Sequence, residues 1–189
     1  MINQKYILRK FDLVLSFLAL ILLSPLLILI LICCFLDIKD PIFIQKRVGQ
    51  NLKPFNLYKF RTMKKNTPSL ATHLITKKYV TKLGRIIRIL KLDELPQLIN
   101  VLNGEMSLVG PRPCLINQIE LIKERKKYNV FKVKPGITGL AQIRGVDMSD
   151  PKILAKFDFQ MISNLNIKNY FKYIFLTLLG MGLSDRISK

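Results

Sequence analysis

Residues Leu13 to Leu36 read LVLSFLALILLSPLLILILICCFL, a 24-residue apolar run broken at its centre by Ser24-Pro25. A helix of this length suffices to cross a bilayer. Pro25 argues against a straight crossing. It has no N–H, and its ring clashes with the carbonyl four residues back, so it kinks or ends a helix. In lipid the freed backbone groups need partners inside the protein. Ser16 and Ser24 are the nearby hydroxyls. Lys5, Arg9 and Lys10 precede the run, and Lys39, Lys46, Arg47, Lys53 and Lys59 follow it. Positive charge marks the cytoplasmic side, and here both flanks are positive. A helix that enters, bends at Ser24-Pro25 and leaves by the same face satisfies both flanks. A single-pass anchor with a tolerated kink is the other reading, and these residues alone leave both open.

The 189-residue chain has room for one domain beside such an element. Residues 1–37 read as the membrane segment and 38–189 as the domain, with interfacial helices. The formal net charge of +19 falls mostly outside the apolar run. Such a surface attracts polyanions, and next to a bilayer it meets anionic headgroups at about 1 kcal/mol per Lys or Arg. Nucleic acid fits poorly: the basic residues are dispersed and no nucleic-acid motif appears. Cys33, Cys34 and Cys114 show no metal-ligand spacing, and the first two read as packed thiols in a reducing compartment. The run lacks a secretory cleavage site. His73, the sole histidine, reads as a solvated loop residue.

Beyond the run, residues 41–63 alternate loosely around Gly49-Gln50-Asn51 and predict two short strands with a turn. Residues 64–75 read as a loop. Residues 76–92 set Lys77, Lys78, Lys82, Arg85, Arg88 and Lys91 around Leu83, Ile86, Ile87, Ile89 and Leu90, a basic amphipathic helix suited to the interface plane. A second helix is expected to start with Asp93 as N-cap and stop at Asn103-Gly104. Residues 114–128 form another, with a charged end from Lys123 to Lys127. Two turn-rich loops, Gly110-Pro111-Arg112-Pro113 and Lys134-Pro135-Gly136-Ile137-Thr138-Gly139, bracket it. Residues 153–183 read as one or two helices whose aromatics favour a headgroup layer. The class is α+β, mostly helical.

Asp93-Glu94 is an adjacent acidic pair in a basic chain. A cap and its dipole partner account for the dipeptide alone. Its neighbours suggest more. Arg85 and Arg88 lie just upstream, Arg61 follows Lys59-Phe60, and Arg112 is clamped between prolines. Arginine binds phosphate oxygens bidentately. Mg²⁺ takes one or two carboxylates plus substrate phosphates. A carboxylate can also act as nucleophile through an acyl phosphate.

Five motifs then stand in one order: Ser24-Pro25; Lys59-Phe60-Arg61-Thr62-Met63; Leu92-Asp93-Glu94-Leu95-Pro96-Gln97-Leu98; Gly104-Glu105-Met106-Ser107-Leu108-Val109-Gly110-Pro111-Arg112-Pro113; and Lys134-Pro135-Gly136-Ile137-Thr138-Gly139-Leu140-Ala141-Gln142. The chain resembles the bacterial sugar transferases, in their small monotopic phosphoglycosyl transferase form. The resemblance implies a re-entrant helix broken at Ser24-Pro25, on the cytoplasmic face of a bacterial inner membrane. It implies transfer of a sugar phosphate from a UDP-sugar to a polyprenyl phosphate with release of UMP, opening the assembly of a surface glycan. Asp93 would be the nucleophile, and Glu94, with Asp93, would hold Mg²⁺. Arg88 and Arg112 are expected at the phosphates. Lys59, Arg61, Arg85 and Gln142 are further candidates for binding. After Gln142 the chain departs from the Asn-Gly-Arg-like run of many members: Val146 stands at the arginine position, and Arg144 is the candidate replacement. Membrane lipid is an implied partner, and a homodimer is allowed. The rival from another class is a non-catalytic basic membrane-binding module. It matches the charge and the apolar run but leaves the Asp-Glu pair and the Pro-Arg-Pro loop without a purpose.

Overall fold

The computed structural model describes residues 2–67 and 77–182. His73 and most of the expected 64–75 loop lie outside the described residues.

The apolar run forms two helices. α1 (Ile2–Leu22) and α2 (Ser24–Ile38) meet at Leu23 with a bend of 65°. Pro25 occupies the first turn of α2, where its missing N–H costs nothing. The Ser24 hydroxyl donates to the Ile21 carbonyl at 2.8 Å, occupying an acceptor that the break frees. No single helix among the described residues is long and apolar enough to cross a membrane, whereas the bent pair passes that test by length and composition.

The two helices have different inner faces. α1 lays Leu8, Phe11, Asp12, Leu15 and Ser16 toward the domain, at helical spacing. Its opposite face exposes Leu13, Val14, Phe17, Leu18, Ile21 and Leu22. α2 buries Ile30 and Cys34 against Phe60 and Ile87, with Leu26, Leu27, Leu83 and Leu92 packed around them. It exposes Ile28, Leu29, Ile32, Phe35 and Leu36.

The expected strands form as β1 (Ile42–Val48) and β2 (Pro54–Phe60), antiparallel, in register from Ile42–Phe60 to Val48–Pro54. The basic helix is shorter than its sequence suggests. α3 spans Lys82–Ile89, capped by the Thr81 hydroxyl on the Gly84 N–H, after a separate 3₁₀ turn at Lys77–Tyr79. It still exposes Ile86, Ile89 and Leu90. α4 (Gln97–Leu102) follows, then β3 (Ser107–Val109), α5 (Ile119–Lys127), β4 (Gly136–Thr138), α6 (Leu140–Ile143), α7 (Pro151–Ser163) and α8 (Ile167–Leu178).

β3 and β4 pair in parallel, Ser107 with Gly136 and Val109 with Thr138, a pairing that the turn-rich reading of 134–139 does not anticipate. It depends on glycine. A Cβ on Gly136 would lie 2.0 Å from the Gly110 nitrogen, so only two bare backbones approach this closely.

α1 is fastened to the domain by polar groups. The buried Asp12 carboxylate accepts from Ser107 Oγ, Leu108 N and Tyr170 Oη, each at 2.9 Å. Arg9 donates to the Val101 and Leu102 carbonyls at 2.8 and 3.2 Å, ending α4 as a C-terminal cation does. The sequence reading counts Arg9 only as flanking charge.

Candidate active site

The site forms where α2, α3, β2 and the Pro-Arg-Pro loop converge. Asp93 is not the helix cap that its position suggests. Lys91 adopts a left-handed φ of 55° and turns the chain, and Leu92–Glu94 form a 3₁₀ turn. Pro96 then stands at the entry to α4, so the helix proper begins at Gln97. The tight turn places two successive carboxylates inside, both buried. Leu92 anchors it by packing into the cluster that α2 and α3 share.

Lys59, from the end of β2, reaches across this turn. Its Nζ lies 2.7 Å from Glu94 Oε1 and 3.7 Å from Asp93 Oδ2. Arg112 Nη2 donates to the same Glu94 oxygen. Arg112 remains one-third open to solvent, so the site has an outer wall of guanidinium. A small cleft beside it is lined by Arg47, Leu57, Lys59, Gln97, Arg112 and Gly136, among others.

These neighbours set the carboxylates apart. Burial pushes the Asp93 carboxyl above the ordinary aspartate range; Lys59, Arg88 and Arg112 oppose that rise and the Glu94 charge adds to it. Burial presses Glu94 the same way, but Arg112 and Lys59 outweigh it by charge and hydrogen bond and hold the carboxyl well below its usual range. Glu94 in return raises the Arg112 guanidinium against its own burial. One carboxylate is locked ionised between two cations, and its neighbour is kept basic and close to a third, Arg88. Paired acids with divergent environments take different chemical roles.

Not all the expected residues gather here. Lys59, Arg88 and Arg112 act on the dyad. Arg61 is engaged elsewhere, with Asp40 Oδ2 at 2.9 Å, the Asp40 and Ile42 carbonyls and the Phe43 ring, so it holds the junction between α2 and β1. Arg85 is exposed on α3. Gln142 is buried under the Gly110 loop, its amide 3.5 Å from the Gly110 carbonyl. Arg144 is exposed at the end of α6.

Two arginines escape the sequence reading. Arg47, counted there as flanking charge, is half-buried: it donates to the Pro113 carbonyl and to Gln45 Oε1. Its burial, with Arg112 nearby, draws the guanidinium down to about 10. Arg125, read as part of a charged Lys123–Lys127 end, is fully buried, paired with Asp158. The available signal was Asp158 itself, an acid between Phe157 and Phe159 in an apolar helix, because carboxylates are rarely buried without a partner.

Residues 3–183 match the family model described as bacterial sugar transferase. The chain belongs to the bacterial sugar transferase family. Among its relatives, the uncharacterized sugar transferase EpsL of Bacillus subtilis (strain 168) is 39% identical over 182 residues, covering 96% of this chain and 90% of its own. The undecaprenyl-phosphate glucose phosphotransferase of Komagataeibacter xylinus is 42% identical over 184 residues, 90% of this chain and 35% of its own. The UDP-glucose:undecaprenyl-phosphate glucose-1-phosphate transferase of Escherichia coli (strain K12) is 38% identical over 182 residues, 90% of this chain and 39% of its own. The chain thus spans less than half the length of these two phosphotransferases and nearly all of EpsL. The dyad turn and the Pro-Arg-Pro loop both fall inside the family match.

Proposed function

We propose that this bacterial sugar transferase is a phosphoglycosyl transferase. It moves a sugar 1-phosphate from a UDP-sugar to a polyprenyl phosphate and releases UMP. The observation that carries the reading is the buried Asp93-Glu94 turn, held by Lys59 and Arg112 and packed through Leu92 against the second half of a bent apolar helix pair. That placement brings a polar reaction centre next to a surface suited to lipid. The relatives named as undecaprenyl-phosphate phosphotransferases support the acceptor class.

Asp93 is the nucleophile. Its carboxylate oxygen attacks the sugar-bearing phosphorus. The bond from that phosphorus to the bridging oxygen breaks, and UMP leaves with the bridging oxygen and its electron pair. A polyprenyl phosphate oxygen then attacks the phosphoryl-aspartate, and Asp93 departs as a carboxylate, giving a polyprenyl diphosphate sugar. Arg88 and Arg112 offset the charge that develops on the phosphoryl oxygens. Lys59 orients both carboxylates. Glu94, ionised between Lys59 and Arg112, does not compete as nucleophile.

Mg²⁺ fits this donor set on one condition. No cluster of three His, Cys, Asp or Glu side chains occurs among the described residues. Asp93 and Glu94 would hold the ion together with phosphate oxygens of the substrate. When bound, it adds positive charge at the diphosphate and makes UMP a better leaving group.

The bent pair is read as re-entrant, with both flanks and the domain on the cytoplasmic side. The exposed apolar faces of α1 and α2 then meet lipid, and exposed Ile86, Ile89, Leu90, Phe171, Phe175, Leu178 and Leu179 rest at the headgroup boundary. The deciding experiment is UMP release by the detergent-purified chain with Mg²⁺, polyprenyl phosphate and a panel of UDP-sugars. Release that depends on Asp93 supports the reading. A folded protein that releases no UMP from any donor sinks it in favour of a non-catalytic membrane module.

A further inference from the structure

The loop that carries Arg112 is held at three consecutive carbonyls by three separate elements. Pro111 O accepts from Gly136 N on β4 at 2.9 Å. Arg112 O accepts from Arg125 Nη1 on α5 at 2.9 Å. Pro113 O accepts from Arg47 Nη1 on β1 at 3.1 Å. The two prolines fix φ on either side. The middle contact has an unusual source. Arg125 is 2% exposed, and its Nε and Nη2 lie 2.9 and 2.8 Å from Oδ2 of an Asp158 that is 1% exposed. Both residues of this pair are buried away from solvent, yet Arg125 Nη1 donates to the backbone of the residue that grips Glu94.

A buried ion pair is a poor device for stability, because its desolvation cost rivals its attraction, and well-packed apolar residues often serve equally well. It is a good device for direction. A guanidinium is a rigid planar fork, so the Nε hydrogen bond to Asp158, with the Nη2 ion-pair contact beside it, fixes the heading of Nη1. We propose that Arg125, locked by Asp158, is a positioning residue for Arg112: it sets where the Arg112 guanidinium stands relative to Glu94 by holding the Arg112 carbonyl from behind. The kinetic arm of the test rests on the transferase reading above; the spectroscopic arm does not.

The test compares the full chain with Arg125→Leu/Asp158→Leu, which removes both charges together, and with Arg125→Lys, which keeps the charge but offers one ammonium in place of a fork. In the parent, the ¹⁵N-labelled Arg112 side chain is expected to give a slowly exchanging resonance that shifts in Glu94→Gln. Both variants should keep a cooperative melt near that of the parent, yet lose that resonance to exchange broadening. Their kcat should fall by about 10–100-fold, the scale of a 1 Å misplacement, with KM for the UDP-sugar changing far less. In an Arg112→Ala background the same changes should cost nothing further, because residues acting through one another are non-additive. An unaltered Arg112 resonance overturns the proposal, as does a kcat loss that repeats in full in the Arg112→Ala background. If Arg125→Leu/Asp158→Leu does not fold, Arg125→Lys carries both readouts. If the parent is inactive with every donor, the transferase reading fails, and the resonance alone decides whether Arg125 positions Arg112.

Discussion

Glu94 binds two cations on one oxygen, while Asp93, one residue earlier, stays under pressure from its own burial. The two carboxylates therefore respond to pH in opposite senses. The depressed Glu94 contributes stability that is fully present above its unfolded value of about 4.3 and is lost as pH falls toward its lower folded value. The raised Asp93 favours its protonated form, so its ionisation draws on stability as pH rises through its folded value. Glu94→Gln should accordingly lower the melting temperature at pH 7, with the gap from the parent closing below about pH 4; melts at pH 7, 5 and 3.5 check this. Asp93→Asn should melt at or above the parent temperature while UMP release disappears, because a buried charge is exchanged for a neutral isostere. Retained turnover would remove Asp93 as nucleophile. The acidic pair and Arg112 are legible in the sequence as residues, since both sit in unusual local contexts. Their grouping is implied by the resemblance and not by spacing, because Lys59 reaches Glu94 across 35 positions. The N-cap reading of Asp93 failed because the left-handed Lys91 and the placement of Pro96 delay the helix to Gln97.

At the scale of elements, the break at Ser24-Pro25 is the feature that the sequence states most plainly, and the 65° bend follows from it. Ser24→Ala/Pro25→Leu should let α1 and α2 run on as one straight helix. That would pull Ile30 and Cys34 away from Phe60, Ile87 and the dyad turn. The expected outcome is loss of transferase activity, and a cysteine placed in the 39–41 segment should no longer be labelled from the same side of the membrane as one near the N-terminus. The attachment of α1 was not legible. An aspartate twelve residues in looks like part of a polar flank, and its partners Ser107, Leu108 and Tyr170 lie far along the chain. Asp12→Leu leaves buried donors without acceptors, at about 1–3 kcal/mol for each unsatisfied group. Tyr170→Phe removes one bond and should cost nearer 1 kcal/mol. Denaturant melts in mild detergent measure both. β4 escaped the sequence reading because a three-residue parallel strand between glycines has no periodicity to detect.

For the whole molecule, two attractions to a bilayer coincide: a charge of +19 and a continuous set of apolar side chains on α1 and α2. They separate by salt. Charge alone is screened within about 3 Å at 1 M ionic strength, whereas apolar burial is not. The protein should therefore stay with anionic vesicles in 1 M NaCl and leave them only in detergent; release by salt would make α1 and α2 a surface module instead of an embedded one. The α+β, mostly helical class was legible from the run, the two early strands and the turn-rich loops. The packing order was not, since the core brings together side chains as distant as Val48 and Leu154. That distance carries a consequence for biogenesis. α1 leaves the ribosome well before α8, yet the Asp12 hydrogen bonds close only when Tyr170 arrives, 158 positions later. Arg9 waits for Val101, 92 positions on. Contacts of such long sequence separation form late and slowly. The nascent chain must then hold a charged Arg9 and Asp12 beside its most apolar segment while the rest is translated. A chain arrested before α8 would stall as an exposed, half-docked intermediate, the kind of species that chaperones and membrane proteases recognise.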